Sequence, residues 1–170
     1  MHRETEKIPN ELAAVCGLYC AACSWFIAAN EDPERLKRLA AQRNWPVEES
    51  RCHGCRSEKR LPYCGTCGMS ACAAQRGIDF CGECEEYPCE DLKRFQAAMP
   101  HRIGLWANLG RIRSVGCGQW LEEIRENYAC PQCGTINSAY DLTCRKCGKE
   151  PSCRYVADHR QAIEQYLKKR

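Results

Sequence analysis

The chain has 170 residues, a formal net charge of +3, and cysteine at 17 positions. Other apolar residues are sparse, with 3 Phe and 12 Val plus Ile, which excludes a strand-rich sandwich, a parallel barrel or one large unstapled core. No apolar run approaches the ~18 residues of a membrane-spanning helix, so no membrane partner is expected.

The opening segment MHRETEKIPNELAAVCGLYC mixes charges of both signs and has no basic start leading into an apolar stretch. It does not read as a signal peptide, so a cytoplasmic, reducing location is expected. Cysteines at this density then read as thiolate ligands rather than disulfides, and an odd number cannot all pair within one chain. Bound metal also changes the charge. Each zinc ion on four thiolates subtracts two, so two or three such sites turn +3 into −1 or −3.

Cys16, Cys20 and Cys23 form C-x3-C-x2-C. A helix is expected next in NEDPERLKRLAAQRN, with Asp32 capping, Pro33 at the first helical position, and Leu36, Leu39 and Ala40 on one face. Residues 44–67 carry little periodicity, and a metal at Cys52 and Cys55 would account for so long an irregular stretch. Cys64, Cys67 and Cys72 form C-x2-C-x4-C, and Cys81, Cys84 and Cys89 repeat it 17 residues later. Between them Ser70 can cap a short helix over ACAAQR that ends at Gly77.

Leu92, Phe95 and Met99 then share a helical face in EDLKRFQAAM. After Pro100, Ile103, Leu105, Trp106, Leu109 and Ile112 fit an amphipathic helix. Gly116 and Gly118 are expected to interrupt it before a stripe of Trp120, Leu121 and Ile124. A tail helix over 155–169 places Ile163, Tyr166 and Leu167 together. Trp25, Trp106 and Trp120 read as core anchors.

The strongest chemical signal is the pair CPQCG and CRKCG, with ten residues between Cys133 and Cys144. Two C-x2-C pairs aim Cys130, Cys133, Cys144 and Cys147 at one ion, and Gly134 and Gly148 permit the backbone angles that follow each pair. Zinc favours such a closed all-sulfur shell, with rubredoxin-like iron the competing occupant. Four protein ligands leave no open position, so the site reads as structural, with one hairpin expected over INSAYDLT. A segment this small has little core, and its ion would supply most of its folding free energy.

The N-terminal ligands expected are Cys16, Cys20, Cys23, Cys52, Cys55, Cys67, Cys72, Cys81, Cys84 and Cys89. Their number suits two closed four-sulfur sites, or a 4Fe–4S cluster with a zinc ion. C-x3-C-x2-C is also the cluster spacing of radical S-adenosylmethionine enzymes, but the strand–helix alternation those enzymes need is missing from the pattern. His53 inside CHGC is favoured as a turn residue over a ligand. His2, His101 and His159 are scattered, and His101 reads as a cap or packing residue. No phosphate-binding glycine loop, H-E-x-x-H or nucleophile elbow is legible.

The segments CGLYCAACSWFIA, CHGC, the pair Cys67 and Cys72, and CGECEEYPCEDLKRF resemble the family catalogued as domain of unknown function 3795. HRIGLWANLGRIRSVGCGQWL and the terminal CPQCG…CRKCG resemble its longer members, so the likeness spans residues 14–148. It implies a small, cysteine-rich, metal-binding, mainly helical domain without an assigned activity. Cys64 and Cys117 stand outside its pattern, and Cys153 belongs to no group.

The expected architecture is mainly α: a cysteine-rich helical metal-binding domain over 1–127, a zinc ribbon over 128–153, and a helical tail over 154–170. The expected function is a non-enzymatic zinc scaffold with two or three ions. The alternative is an iron–sulfur protein in electron transfer or assisting an anaerobic enzyme. Arg145, Lys146, Lys149 and Arg154, with Lys168, Lys169 and Arg170, read as a solvated basic surface. A protein partner is therefore favoured over a nucleic acid.

Overall fold

The structure, a computed structural model, describes residues 10–170. Residues 1–9 of the expected first domain, including His2, lie outside the described residues. The described chain is helical and forms no strand, only isolated bridges at Ala13–Tyr19 and Ala129–Ile136.

Helices α1 (Ser24–Glu31) and α2 (Pro33–Arg43) form the first pair. The Asp32 carboxylate accepts the Arg35 N–H at 2.9 Å, Pro33 opens the helix, and Asn44 closes it in the left-handed conformation. Leu36 and Ala40 are buried as the spacing requires. The eight-residue α1 has a weak apolar stripe, and no helix is expected there from sequence alone. It is fixed by burial of Ile27 and Ala28.

The irregular stretch 44–67 contains a 3-10 turn at Glu48–Ser50 and a one-turn helix, α3 (Pro62–Gly65). Helix α4 (Gly68–Arg76) begins earlier than the Ser70 cap predicts. The Ala71 N–H already bonds the Cys67 carbonyl at 3.0 Å, so Cys67 occupies the cap position and Ser70 lies inside the helix. Gly77 ends α4 at φ 66° as expected.

Helices α5 (Glu90–Ala97), α6 (Leu105–Val115), α7 (Cys117–Tyr128) and α8 (Arg154–Leu167) complete the body. Only Gly116, at φ 83°, separates α6 from α7. Gly118 lies within α7, because a helix interior tolerates one glycine at a cost of about 1 kcal/mol.

Leu105, Leu109 and Ile112 of α6 pack with Trp120, Leu121, Ile124 and Tyr128 of α7 and with Tyr155, Val156 and Ile163 of α8. Residues from the N-terminal segment (Ala13, Cys16, Tyr19, Cys20) and Ala139 join the same core. Each fully buried Leu or Ile contributes roughly 1.5–3 kcal/mol. Trp120 is the anchor among the three tryptophans singled out, buried with Tyr19 edge-on at 6.5 Å. Trp25 and Trp106 are only half-buried, because they pack at the rim against Trp45 and Tyr87.

The turn carrying Cys16 and Cys20 is seated on α6 by a close approach. Gly17 adopts φ 82°, and a Cβ there would lie 2.8 Å from Leu109 Cγ. Asn108 Nδ2 also donates to the Gly17 carbonyl at 2.9 Å. No helix among the described residues is long and apolar enough to cross a membrane.

Candidate metal centre

Cys130, Cys133, Cys144 and Cys147 converge, with all four sulfurs within 4.8 Å of one another. Cys130 and Cys147 approach to 3.6 Å, and Cys133 and Cys144 to 3.7 Å. A tetrahedral ion with metal–sulfur bonds of about 2.3 Å requires sulfur–sulfur edges of about 3.8 Å. The donor set therefore fits one soft divalent ion.

The two halves of this cluster are built alike. The Cys130 N–H bonds the Thr135 carbonyl at 2.8 Å and the Gly134 N–H returns to the Cys130 carbonyl at 2.9 Å. The Cys144 N–H bonds the Lys149 carbonyl at 2.8 Å and the Gly148 N–H returns to the Cys144 carbonyl at 2.9 Å. Gly134 and Gly148 take φ 71° and 75°, a conformation glycine adopts without steric cost. The hairpin expected over residues 136–143 does not form. That segment is a turn in which the Asp141 carboxylate accepts the Ser138 N–H, with a single bridge from Ile136 to Ala129.

Asn137 is fully buried beside the cluster. Its amide donates to Cys144 Sγ at 3.6 Å, to the Thr135 carbonyl at 3.0 Å and to the Ser152 carbonyl at 3.3 Å, while its oxygen accepts the Arg145 N–H at 3.0 Å. Burial opposes ionisation of Cys144, but N–H groups of Cys147 and Lys146, the Asn137 amide and Cys133 outweigh it and bring the thiol down to about 6. The Lys149 N–H favours the Cys147 thiolate, yet burial and the three neighbouring sulfurs together push Cys147 up to about 12. A cation among these sulfurs relieves that repulsion.

The cluster is tied to the helical body by charge. Arg35 of α2 pairs with Asp141 at 3.2 Å and bonds Ser24 Oγ and Ser138 Oγ at 3.1 and 3.2 Å. Arg145, expected on a solvated surface, instead pairs with Glu31 and donates to the Ile136 carbonyl at 2.8 Å, so it holds structure. Lys146 and Lys149 remain exposed and Arg154 meets Asp158 only at 3.7 Å.

Cys20 and Cys52 are buried, and Cys23 and Cys55 half-buried, around the loop that holds CHGC. The Cys55 N–H donates to Cys20 Sγ at 3.4 Å. Like-charge repulsion from Cys89, Cys72, Cys67 and Cys84 acts on Cys81 and that from Cys81 and Cys67 acts on Cys16, while Cys16 in turn acts on Cys55. Burial pushes Cys16 up to about 12 and Cys23 and Cys81 up to about 11. These sulfurs are more widely spaced than the C-terminal four, the only group of three or more among the described residues mutually within 4.8 Å.

Comparison with known proteins places the N-terminal part. Residues 12–94 match the model of a family described as Protein of unknown function (DUF3795). This segment is similar to that family. Its match ends within α5, so α6, α7 and the four-thiol cluster lie beyond it. No curated protein and no solved structure matches the chain.

His53 bonds Asn30 through Nδ1 at 2.9 Å. Cys117 is half-buried with Arg56 nearby, and Cys153 is buried ahead of α8 with Ser152 Oγ at 3.7 Å. Sequence reasoning missed Asn137, Arg35 and Asp141. None belongs to a metal motif, and their contacts appear only once the spacer folds over the cysteines.

Proposed function

We propose that this chain is a non-enzymatic zinc protein whose thiolate-bound ions fix a surface for a macromolecular partner. The observation that carries the reading is the convergence of Cys130, Cys133, Cys144 and Cys147 at the edge lengths of a tetrahedral shell. A shell closed by four thiolates suits a structural ion. Further ions, two or three in all, would be held by Cys16, Cys20, Cys23, Cys52, Cys55, Cys67, Cys72, Cys81, Cys84 and Cys89. In functional terms residues 1–127 are the cysteine-rich helical domain, 128–153 the zinc ribbon and 154–170 its helical tail, though all three share one core.

A protein partner is favoured over nucleic acid. Arg145 is engaged by Glu31, and each four-thiolate zinc site removes two charges from a formal +3, leaving no strongly basic net charge. The wider spacing of the N-terminal sulfurs favours one alternative there. An iron–sulfur cluster distributes its thiolates over several metal atoms, so its ligands stand farther apart than those of a single ion.

Elemental analysis of anaerobically purified protein tests the reading. Two or three zinc per chain, without iron, is the expected result. Four iron with sulfide would move the N-terminal domain to the alternative, and no bound metal would end the proposal.

A further inference from the structure

Two open clefts meet beside the C-terminal cysteine cluster. The first, of about 540 Å3, lies between the end of α7, the cysteine turns and the start of α8. The second, of about 620 Å3, lies between those turns and the junction of α1 with α2. Arg125 and Gly134 line both, so one groove crosses the face of the metal-holding turns.

Most carboxylates of the groove are engaged, and most of its cations are not. Glu31 pairs with Arg145, and Asp32 caps α2 by accepting the Arg35 N–H at 2.9 Å. Among the described residues Arg125, Lys146 and Lys149 pair with no carboxylate, and Arg154 meets Asp158 only at 3.7 Å. Glu126 is the remaining acid. A zinc-loaded thiolate shell behind this wall carries two negative charges, and these four cations outnumber them. The turns that hold the ion also place the cations. Lys146 lies between Cys144 and Cys147, and the Lys149 carbonyl accepts the Cys144 N–H at 2.8 Å. Arg125 is set in the last turn of α7, where its carbonyl accepts the Ala129 N–H at 3.0 Å. Ala129, Pro131, Pro151 and Ala157 give the first cleft an apolar wall between its cations.

This composition selects the occupant. Open clefts do not enclose a small molecule over most of its surface, as small-ligand sites do. A nucleic acid strand would meet Glu126 among its phosphate contacts and find no ring on which to stack a base, because no Phe, Tyr or Trp lines either cleft. An extended peptide presents successive side chains to opposite sides, so carboxylates can reach the rim while an apolar side chain meets the wall. A guanidinium takes a carboxylate through two parallel N–H···O bonds. We propose that this groove docks an acidic peptide segment of a partner protein, with Arg125 and Lys149 taking its carboxylates and the wall around Pro151 an apolar side chain. The inference rests on the zinc-scaffold reading above and goes further by naming the surface and the chemistry of the partner.

The test pans a displayed library of random short peptides over the full zinc-loaded chain and measures the enriched peptides by fluorescence anisotropy. Peptides rich in Asp and Glu should be enriched. Their affinity should fall roughly tenfold or more in Arg125→Glu and in Lys149→Glu, and stay unchanged in Lys59→Glu, whose side chain lines neither cleft. Zinc content equal to that of the wild type shows that the turns of a variant are intact, and if one variant loses its zinc the other decides. No enrichment, enriched peptides without net negative charge, or wild-type affinity in a zinc-loaded variant overturns the docking site and leaves the scaffold reading intact. A single-stranded oligonucleotide that displaces the peptides and binds more tightly than they do overturns it as well. A purified chain without zinc ends both readings.

Discussion

The amide of Asn137 donates to the sulfur of Cys144 at 3.6 Å from a position without solvent exposure. The same side chain bonds the Thr135 and Ser152 carbonyls and accepts the Arg145 N–H, so it joins both halves of the cysteine cluster to the chain leading into α8. Groups of this kind orient the ligands and tune their charge. Asn137→Ala is expected to weaken zinc binding by roughly 10–100-fold. Competition with a chromophoric chelator measures it, and unchanged affinity would show that Cys144 does not depend on this donor.

Arg35 and Asp141 join α2 to the spacer at 3.2 Å, with side chains only 13% and 15% exposed. Removing one partner leaves the other charge without compensation in a largely dry site. Asp141→Ala should cost about 3 kcal/mol, and the double replacement Arg35→Met with Asp141→Ala less than the two single costs together. Denaturant unfolding of the zinc-loaded variants gives the coupling; strict additivity would mean that the pair contributes nothing specific.

Arg102 donates to His101 Nε2 at 3.3 Å, so His101 carries its proton on Nδ1 and donates it to Tyr140 Oη at 2.6 Å. Burial, then the neighbouring Arg102 charge, bring His101 down to about 4. The folded state therefore resists a proton that the unfolded chain accepts near 6.5. The resulting stabilisation is complete above about pH 6.5 and is lost as pH falls toward 4, by at most about 3 kcal/mol. Acid releases bound ions from wild type and variant alike, so the difference between wild type and His101→Gln isolates this residue. The variant should show a flatter stability profile over that window, and parallel profiles would refute the assignment.

Gly54 adopts φ 114° with the Glu11 carbonyl oxygen 2.7 Å from the position of an added Cβ. The obstacle is backbone and cannot swing aside. Gly54→Ala should destabilise the folded chain by about 1–3 kcal/mol through strain at the CHGC loop. Thermal unfolding read beside Gly118→Ala is the check. Gly118 lies in the helix α7, and a Cβ there meets nothing within 4 Å, so its replacement should be neutral or slightly stabilising.

Much of this architecture is written in local patterns. Asp32 and Pro33 fix the start of α2, Gly77 fixes the end of α4, and the doubled C-x2-C-G fixes the cluster, because each acts on its own few residues. What stays hidden depends on distant contacts. Helix α1 has almost no stripe and is held by packing, and the INSAYDLT segment bends around Asn137 and Asp141 instead of pairing as strands. Arg145 looks like a surface cation until Glu31, more than a hundred residues earlier, is brought beside it.

The decisive question is whether the sulfurs of Cys130, Cys133, Cys144 and Cys147 hold an ion. X-ray absorption at the zinc edge, on protein purified under reducing conditions and compared with Cys133→Ser, answers it directly. The account predicts zinc with four sulfur neighbours at about 2.3 Å, and loss of that ion in the variant. Zinc bound mainly by oxygen or nitrogen, or a purified chain with no zinc and Cys130–Cys147 and Cys133–Cys144 joined as disulfides, would contradict it.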